Sequence, residues 1–219
     1  MVAAPEERSA AFLFARSWMQ WYGGLGIVVF SVVILLSDPG AAARRFVTPD
    51  PGEEDPVTGA RTQARQVLKV YVLLTLLGVG VLLALGVGPF PALVHTLSGV
   101  STGGFSTSSA SLGALGAWPA QLALMLIALT GAISLPLYHR AWRRGWRELT
   151  GSLELRALAA AIVLAVALLA WLLGAGAGEG WERLRHAVLM GISAQTGTGY
   201  FSVAPADLAP AALLVLMVA

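Results

Sequence analysis

The chain has 219 residues, 57% of them hydrophobic and only 12% charged, with a mean hydropathy of +0.74. So little polar surface cannot cover a water-soluble globule, and the composition points to an integral membrane protein. There is no cysteine, which excludes disulfides and thiolate metal sites, and the formal charge of +2 says less than where the thirteen arginines and one lysine lie.

The N-terminal stretch MVAAPEERSAAFLFARSW mixes acids and arginines ahead of its apolar part and lacks a small-residue cleavage site, so it reads as a poor secretory signal. Ser17 to Ser37 (SWMQWYGGLGIVVFSVVILLS) is the first uncharged stretch that meets the roughly 20 apolar residues a bilayer-crossing helix needs. Asp38-Pro39-Gly40 closes it. Its Gly23, Gly24 and Gly26 read as small-residue helix packing.

From Val70 to His139 the chain carries no Asp, Glu, Lys or Arg for 70 residues. As continuous helix that would measure about 105 Å, or roughly three hydrocarbon thicknesses. Its outer thirds, Leu68 to Leu85 and Trp118 to Leu137, are good spans; its middle is a poor helix. There GVGPFP leads into a short apolar stretch, Ala92 to Val100, and then STGGFSTSS. Non-helical backbone at membrane depth is tolerated only inside protein or along a watery cavity, so the middle third reads as a re-entrant element. The arginine- and tryptophan-rich RAWRRGWREL after Leu137 reads as an interfacial anchor. Ala157 to Gly178 is a further span, and Asp207 is expected to cap a last helix starting near Pro210.

Basic residues set the orientation. Arg44, Arg45, Arg61, Arg65 and Lys69 follow the first span, and Arg140, Arg143, Arg144, Arg147 and Arg156 follow Leu137, ten in all against Arg8, Arg16, Arg183 and Arg185 on the other side. The positive-inside rule then puts both basic segments in the cytoplasm and lets the re-entrant loop enter from outside.

An internal repeat appears when Ser98 is laid over Ser193, an offset of 95 that sets SGVSTGGFST against SAQTGTGYFS. Ser101 meets Thr196, Gly104 meets Gly199, and Phe105 meets Tyr200. Each copy follows a short amphipathic stretch and precedes a proline-marked helix start, so the unit is helix, pore helix, hydroxyl- and glycine-rich loop, helix. The expected division is 1–37 (extracellular N-terminal segment and a first helix), 38–66 (cytoplasmic loop), 67–137 (a complete repeat), 138–156 (cytoplasmic loop) and 157–219 (a repeat cut short in its last helix). The fold class is thus an all-α integral membrane protein of repeated helix–pore loop–helix units.

Such a loop suits a monovalent cation. Backbone carbonyls can replace the water of a dehydrated ion without a fixed charge that would trap it. Aiming successive carbonyls at one axis demands conformations that residues with a β-carbon resist, which makes Gly104 and Gly199 the candidate turning points. Ser101, Thr102, Thr196 and Thr198 add hydroxyl oxygens, and Phe105 and Tyr200 can wedge the loops from behind. The C-terminal end of each short helix directs its dipole at the loop and favours a cation there. No carboxylate is present to suit a divalent ion. The candidate ion-binding set is therefore Ser101, Thr102, Gly103, Gly104, Phe105, Thr196, Gly197, Thr198, Gly199 and Tyr200. The three histidines share no ligand spacing, with His95 reading as a pore-helix packing residue and His139 as an interfacial one. No Ser-His-Asp or paired-carboxylate arrangement suggests an enzyme.

STGGFS, the TGTGYFS copy and the segment ARSWMQWYGGLGIVVFSVVIL together resemble the TrkH/KtrB superfamily of bacterial potassium uptake proteins, from about Phe14 onward. HTLSGVSTGGFS is similar to that family's second filter; the third departs from it, because Gly197 stands where a Thr is commoner. The resemblance implies a four-repeat, single-chain, potassium-channel-like pore that carries K+ in a bacterial inner (cell) membrane, with 1–37 ending its first repeat, 67–137 as the complete second and 157–219 as the third, so that the set of repeats is incomplete. It also implies no cofactor, a homodimer, and a TrkA/KtrA-like cytosolic nucleotide-binding regulatory subunit, with no nucleic-acid partner. Against that pattern the chain would be a fragment, unable to conduct alone. Two other readings are a sodium-selective member of the same superfamily and a secondary transporter with broken helices, the latter disfavoured by repeats of the same orientation.

Overall fold

The computed structural model describes residues 4–36, 56–134, 137–138, 141, 145, 151–173 and 180–218, and all regular structure among them is helical. Helix α1 spans Ala10–Leu36, preceded by a 3-10 turn at Pro5–Glu7. It starts seven residues before the uncharged stretch because Ser9 caps it, its Oγ accepting the N–H of Phe12 at 3.3 Å.

Helix α2 spans Pro56–Ala84. The segment 38–66, expected as a loop, is therefore helical from Pro56. Arg and Lys are good helix formers, Pro56 is a natural first helical residue, and the charged turns need only extend beyond the apolar part. Gly86 stops α2: at φ +82° it lets the N–H groups of Gly86 and Val87 reach back to the carbonyls of Leu83 and Leu82. Gly88 and Pro89 then open α3, Pro89–Val100, whose 12 residues reach only about 18 Å, too short to cross.

A loop containing a 3-10 helix, Ser111–Leu115, leads to α4, Trp118–Ala132. The expected span to Leu137 is cut short: Ile133 is extended (φ −72°, ψ 136°), and a proline at 136 cannot continue the helix, having no N–H for the Ala132 carbonyl and a ring that would collide with it. The Tyr138 hydroxyl donates to the Thr130 carbonyl at 2.7 Å, satisfying an acceptor that the interrupted helix leaves open. Helix α5 spans Leu153–Leu172, α6 Gly180–Gln195 and α7 Pro210–Val218. Asp207 belongs to a 3-10 turn, Pro205–Asp207, and lies three residues ahead of α7, so it does not stand at the cap position foreseen for it. The stop at Asp38, His139, Gly178 and most of the arginine-rich segment after Leu137 lie outside the described residues.

Helix α3 is the hub. It packs against α1, α2 and α4, and α5 with α6 and α7 forms the neighbouring group joined through α4. Val94, His95, Thr96, Leu97, Ser98 and Val100 of α3 are all buried. Lipid tails are as apolar as leucine, so such a hub holds by close fit more than by hydrophobic exclusion. Gly24 is one such contact: a β-carbon there would sit 2.9 Å from the Tyr71 hydroxyl and 3.1 Å from Ser101 Cβ, whereas among the described residues a β-carbon on Gly23 or Gly26 would meet nothing within 4 Å. Among the described residues, then, Gly24 alone of the three makes a close packing contact. Outward-facing Leu76 (65% exposed), Leu77 (57%) and Trp171 (77%) make the surface apolar, and two helical segments, Arg65–Ala84 and Leu153–Leu172, are long and apolar enough to cross a membrane. This is an all-α membrane fold.

Candidate functional site

Both short helices end in the same way. Thr102 N–H bonds to the Gly99 carbonyl (3.0 Å) and Gly103 N–H to that of Ser98 (2.8 Å); 95 residues on, Gly197 bonds to Ala194 (3.0 Å) and Thr198 to Ser193 (3.1 Å). This is a Schellman ending, which needs a left-handed residue at its first position past the cap. Thr102 (φ 53°) and Gly197 (φ 68°) fill it. The departure at Gly197 thus has a physical reading: glycine adopts without strain the conformation that Thr102 is forced into.

The capping hydroxyls repeat as well. Ser101 Oγ donates to the carbonyls of Leu97 (2.9 Å) or Ser98 (3.2 Å), and Thr196 Oγ1 to those of Ile192 (2.9 Å) or Ser193 (3.2 Å). The two hydroxyl protons close their own helices, leaving lone pairs for any other partner. Two residues past the first left-handed position comes a second, at Gly104 (φ 66°) and Gly199 (φ 71°).

The two loops lie against one another. The Tyr200 hydroxyl donates to the Phe105 carbonyl (2.9 Å), Leu112 N–H to the Phe201 carbonyl (3.2 Å) and Phe201 N–H to Ser111 Oγ (3.1 Å). A β-carbon on Gly104 would overlap the Thr198 carbonyl oxygen. The equivalent aromatics differ in setting. Tyr200 is 3% exposed and sits 6.4 Å from the His95 ring, while Phe105 is half-buried with the Arg16 guanidinium 6.0 Å above its ring. Thr196 and Thr198 are buried, Ser101, Thr102 and Gly104 half-buried, and Gly103, Gly197 and Gly199 exposed. Gly104 and Gly199 both border one cavity of about 530 Å³, together with Arg16, Gln20, Ser106 and Phe201.

Several residues hold this site in ways the sequence did not show. His95 is more than packing: its Nδ1 faces the Pro91 carbonyl at 2.8 Å, and its Nε2 lies 3.3 Å from Ser106 Oγ, tying helix α3 to its loop. His186 does the same for α6 through Ser202 at 2.9 Å. Glu6 accepts the N–H (2.9 Å) and the hydroxyl (2.7 Å) of Ser109, fastening the N-terminal segment over the first loop. The Ser109 hydroxyl is the chief reason that the Glu6 carboxyl is held below its usual pKa. Gln20 Nε2 donates to the Gly103 carbonyl at 3.0 Å. The sequence held one signal for that last contact, since Gln20 sits inside the RSWMQWYGG motif.

A profile of the TrkH family, described as a cation transport protein, matches residues 1–173, about four-fifths of the chain. The chain belongs to the TrkH cation transport protein family. The TrkH-family relatives it matches include the Trk system potassium uptake protein TrkH of Halomonas elongata, 34% identical over 216 residues that make up 94% of this chain and 44% of that protein. TrkI, from the same organism, is 32% identical over 90% of this chain and 40% of its own length. The crystal structure of the potassium transporter TrkH from Vibrio parahaemolyticus superposes with a TM-score of 0.82 at 26% identity, over 98% of this chain and 44% of that one. The second loop and α7 lie past the profile match, and the superposition on the Vibrio structure, over 98% of the chain, extends the likeness to them. The chain spans about 44% of the length of these TrkH relatives.

Proposed function

We propose that this chain forms two walls of a potassium pathway, as part of the pore-forming subunit of a Trk-type uptake system. The observation that carries the reading is the paired left-handed backbone at Thr102/Gly104 and Gly197/Gly199, repeated at one offset, with both second glycines bordering the same cavity. A left-handed residue at every second position turns successive peptide units so that their carbonyls line one side of the strand, the arrangement a dehydrated cation needs. Each loop follows the buried C-terminal end of a short helix, whose dipole favours positive charge. The absence of carboxylates from residues 101–105 and 196–200 favours a monovalent cargo.

In the complete protein this path lets K+ enter the cell down its electrochemical gradient, and the protein acts as a conduit without chemical conversion. Its setting is the bacterial inner membrane, crossed several times, with the basic segments in the cytoplasm, a second copy of the chain as partner and a nucleotide-binding regulatory subunit on the cytoplasmic face. The test is uptake by the full-length protein in a host lacking its own potassium uptake. Growth on low potassium and rubidium influx are expected, together with loss of influx or of discrimination against sodium in Gly104→Ser. Sodium influx that exceeds rubidium influx would point to the sodium-selective reading, and indifference to Gly104→Ser would refute a pore.

A further inference from the structure

Superposing the two loops by their offset of 95 exposes one place where the repeat is kept in function and broken in residue. In the second loop Thr198 restrains itself: its Oγ1 lies 3.1 Å from Ser193 Oγ and 3.0 Å from Thr196 Oγ1. The equivalent of Thr198 in the first loop is Gly103, which has no side chain, and the equivalent of Ser193 is Ser98. Ser98 nevertheless has its partner: its hydroxyl donates to Gln20 Oε1 at 3.0 Å, while its oxygen accepts the N–H of Phe105 at 2.5 Å. The other end of the same Gln20 amide donates to the Gly103 carbonyl. A β-carbon built on Gly103 would lie 2.6 Å from Gln20 Cδ, so the amide occupies the space where the Thr198 side chain begins in the other loop.

We infer that Gln20 of helix α1 is a positioning residue for the first loop, doing from a neighbouring helix what the Thr198 side chain does for the second. The inference rests on the pore reading above. Gly103–Gly104 is the one glycine pair in the two loops and has the largest freedom to rotate its shared peptide unit. A flip of that peptide would turn its carbonyl away from the Gln20 amide and break the bond. It would also bring an N–H to the side of the strand where a cation needs oxygen. Gln20 fixes the peptide directly through the Gly103 carbonyl and indirectly through Ser98, which anchors the next amide, that of Phe105. Because the amide touches the backbone of the loop and borders the cavity without supplying the loop's own oxygens, its loss should degrade discrimination among cations more than it degrades insertion into the membrane.

The test is a swap in the full-length protein. Gln20→Ala is expected to reach the membrane in normal amount and to lower the preference for rubidium over sodium about fivefold, the scale of one net hydrogen bond. Gly103→Thr alone, which must collide with Gln20, is expected to lose at least as much. The pair Gln20→Ala with Gly103→Thr gives the first loop the self-restrained design of the second, and should discriminate better than either single variant. Wild-type preference in Gln20→Ala, or a double variant no better than its worse parent, overturns the inference. Melting temperatures of the purified variants read the same contact without transport: the two substitutions should compensate when combined, and strictly additive losses also overturn it. If the wild-type protein carries no rubidium, the potassium reading fails, while the melting coupling still decides whether Gln20 and Gly103 share one space.

Discussion

Replacing Gly104 with alanine separates two costs that coincide at this residue. The first is conformational: a residue with a β-carbon at φ +66° costs about 1–2 kcal/mol. The second is steric, because the new carbon would lie 2.7 Å from the Thr198 carbonyl carbon and overlap its oxygen, leaving no room unless the loops part. Parting them strains the three hydrogen bonds that join the loops, each worth roughly 0.5–1.5 kcal/mol net. With all three lost the sum is about 2.5–6.5 kcal/mol. Gly197→Ala is the matched control, since it shares the left-handed backbone (φ +68°) but has nothing within 4 Å of its added carbon, and should cost only about 1–2 kcal/mol. Urea unfolding of the full-length protein in detergent micelles measures both. Equal losses for the two variants would refute the contact between the loops.

Tyr200→Phe keeps the buried ring and removes the donor to the Phe105 carbonyl, so it should lose about 1–3 kcal/mol in the same unfolding assay; no loss would mean that the bond is idle. Thr102→Gly should stabilise the protein by about 0.5–1 kcal/mol by relieving left-handed strain, while Thr102→Ala, which keeps the strain, should be close to neutral. The Glu6–Ser109 clasp should follow pH. Because the Glu6 carboxyl is depressed, the clasp is complete above the ordinary glutamate range and loosens as pH falls through the depressed value. Hydrogen exchange at the Ser109 amide should therefore gain an acid-dependent opening that Glu6→Gln lacks.

Much of this layout is written in local pattern. The uncharged run of 70 residues, the proline- and glycine-marked breaks and the 95-residue offset place the short helices and their loops, and Gly104 and Gly199 do have positive φ. Helix limits were less legible. Hydropathy marks the apolar portion of a helix, not its end, so α2 runs back to Pro56 through arginines, whereas Pro136 ends α4 sooner than its hydropathy suggests. The left-handed Thr102 was hidden because the ending of a helix, not the residue, dictates that conformation. The bonds of Gln20 to Gly103, Phe201 to Ser111 and Glu6 to Ser109 join residues 83, 90 and 103 apart, distances at which no local pattern speaks.

The junction between the loops has a direction. The later loop offers a projecting carbonyl and a phenol, and the earlier one receives them at a bare glycine and a peptide oxygen. A head-to-tail joint of this kind cannot pair with itself; repeated by rotation it makes a closed circle or an open spiral. Damage should then cross each joint both ways: a defect in the receiving loop unseats its successor's carbonyl and phenol, and one in the offering loop strips its predecessor's peptide oxygen of a donor, so the footprint of a substitution should be sought in the adjoining unit as well as where it was made.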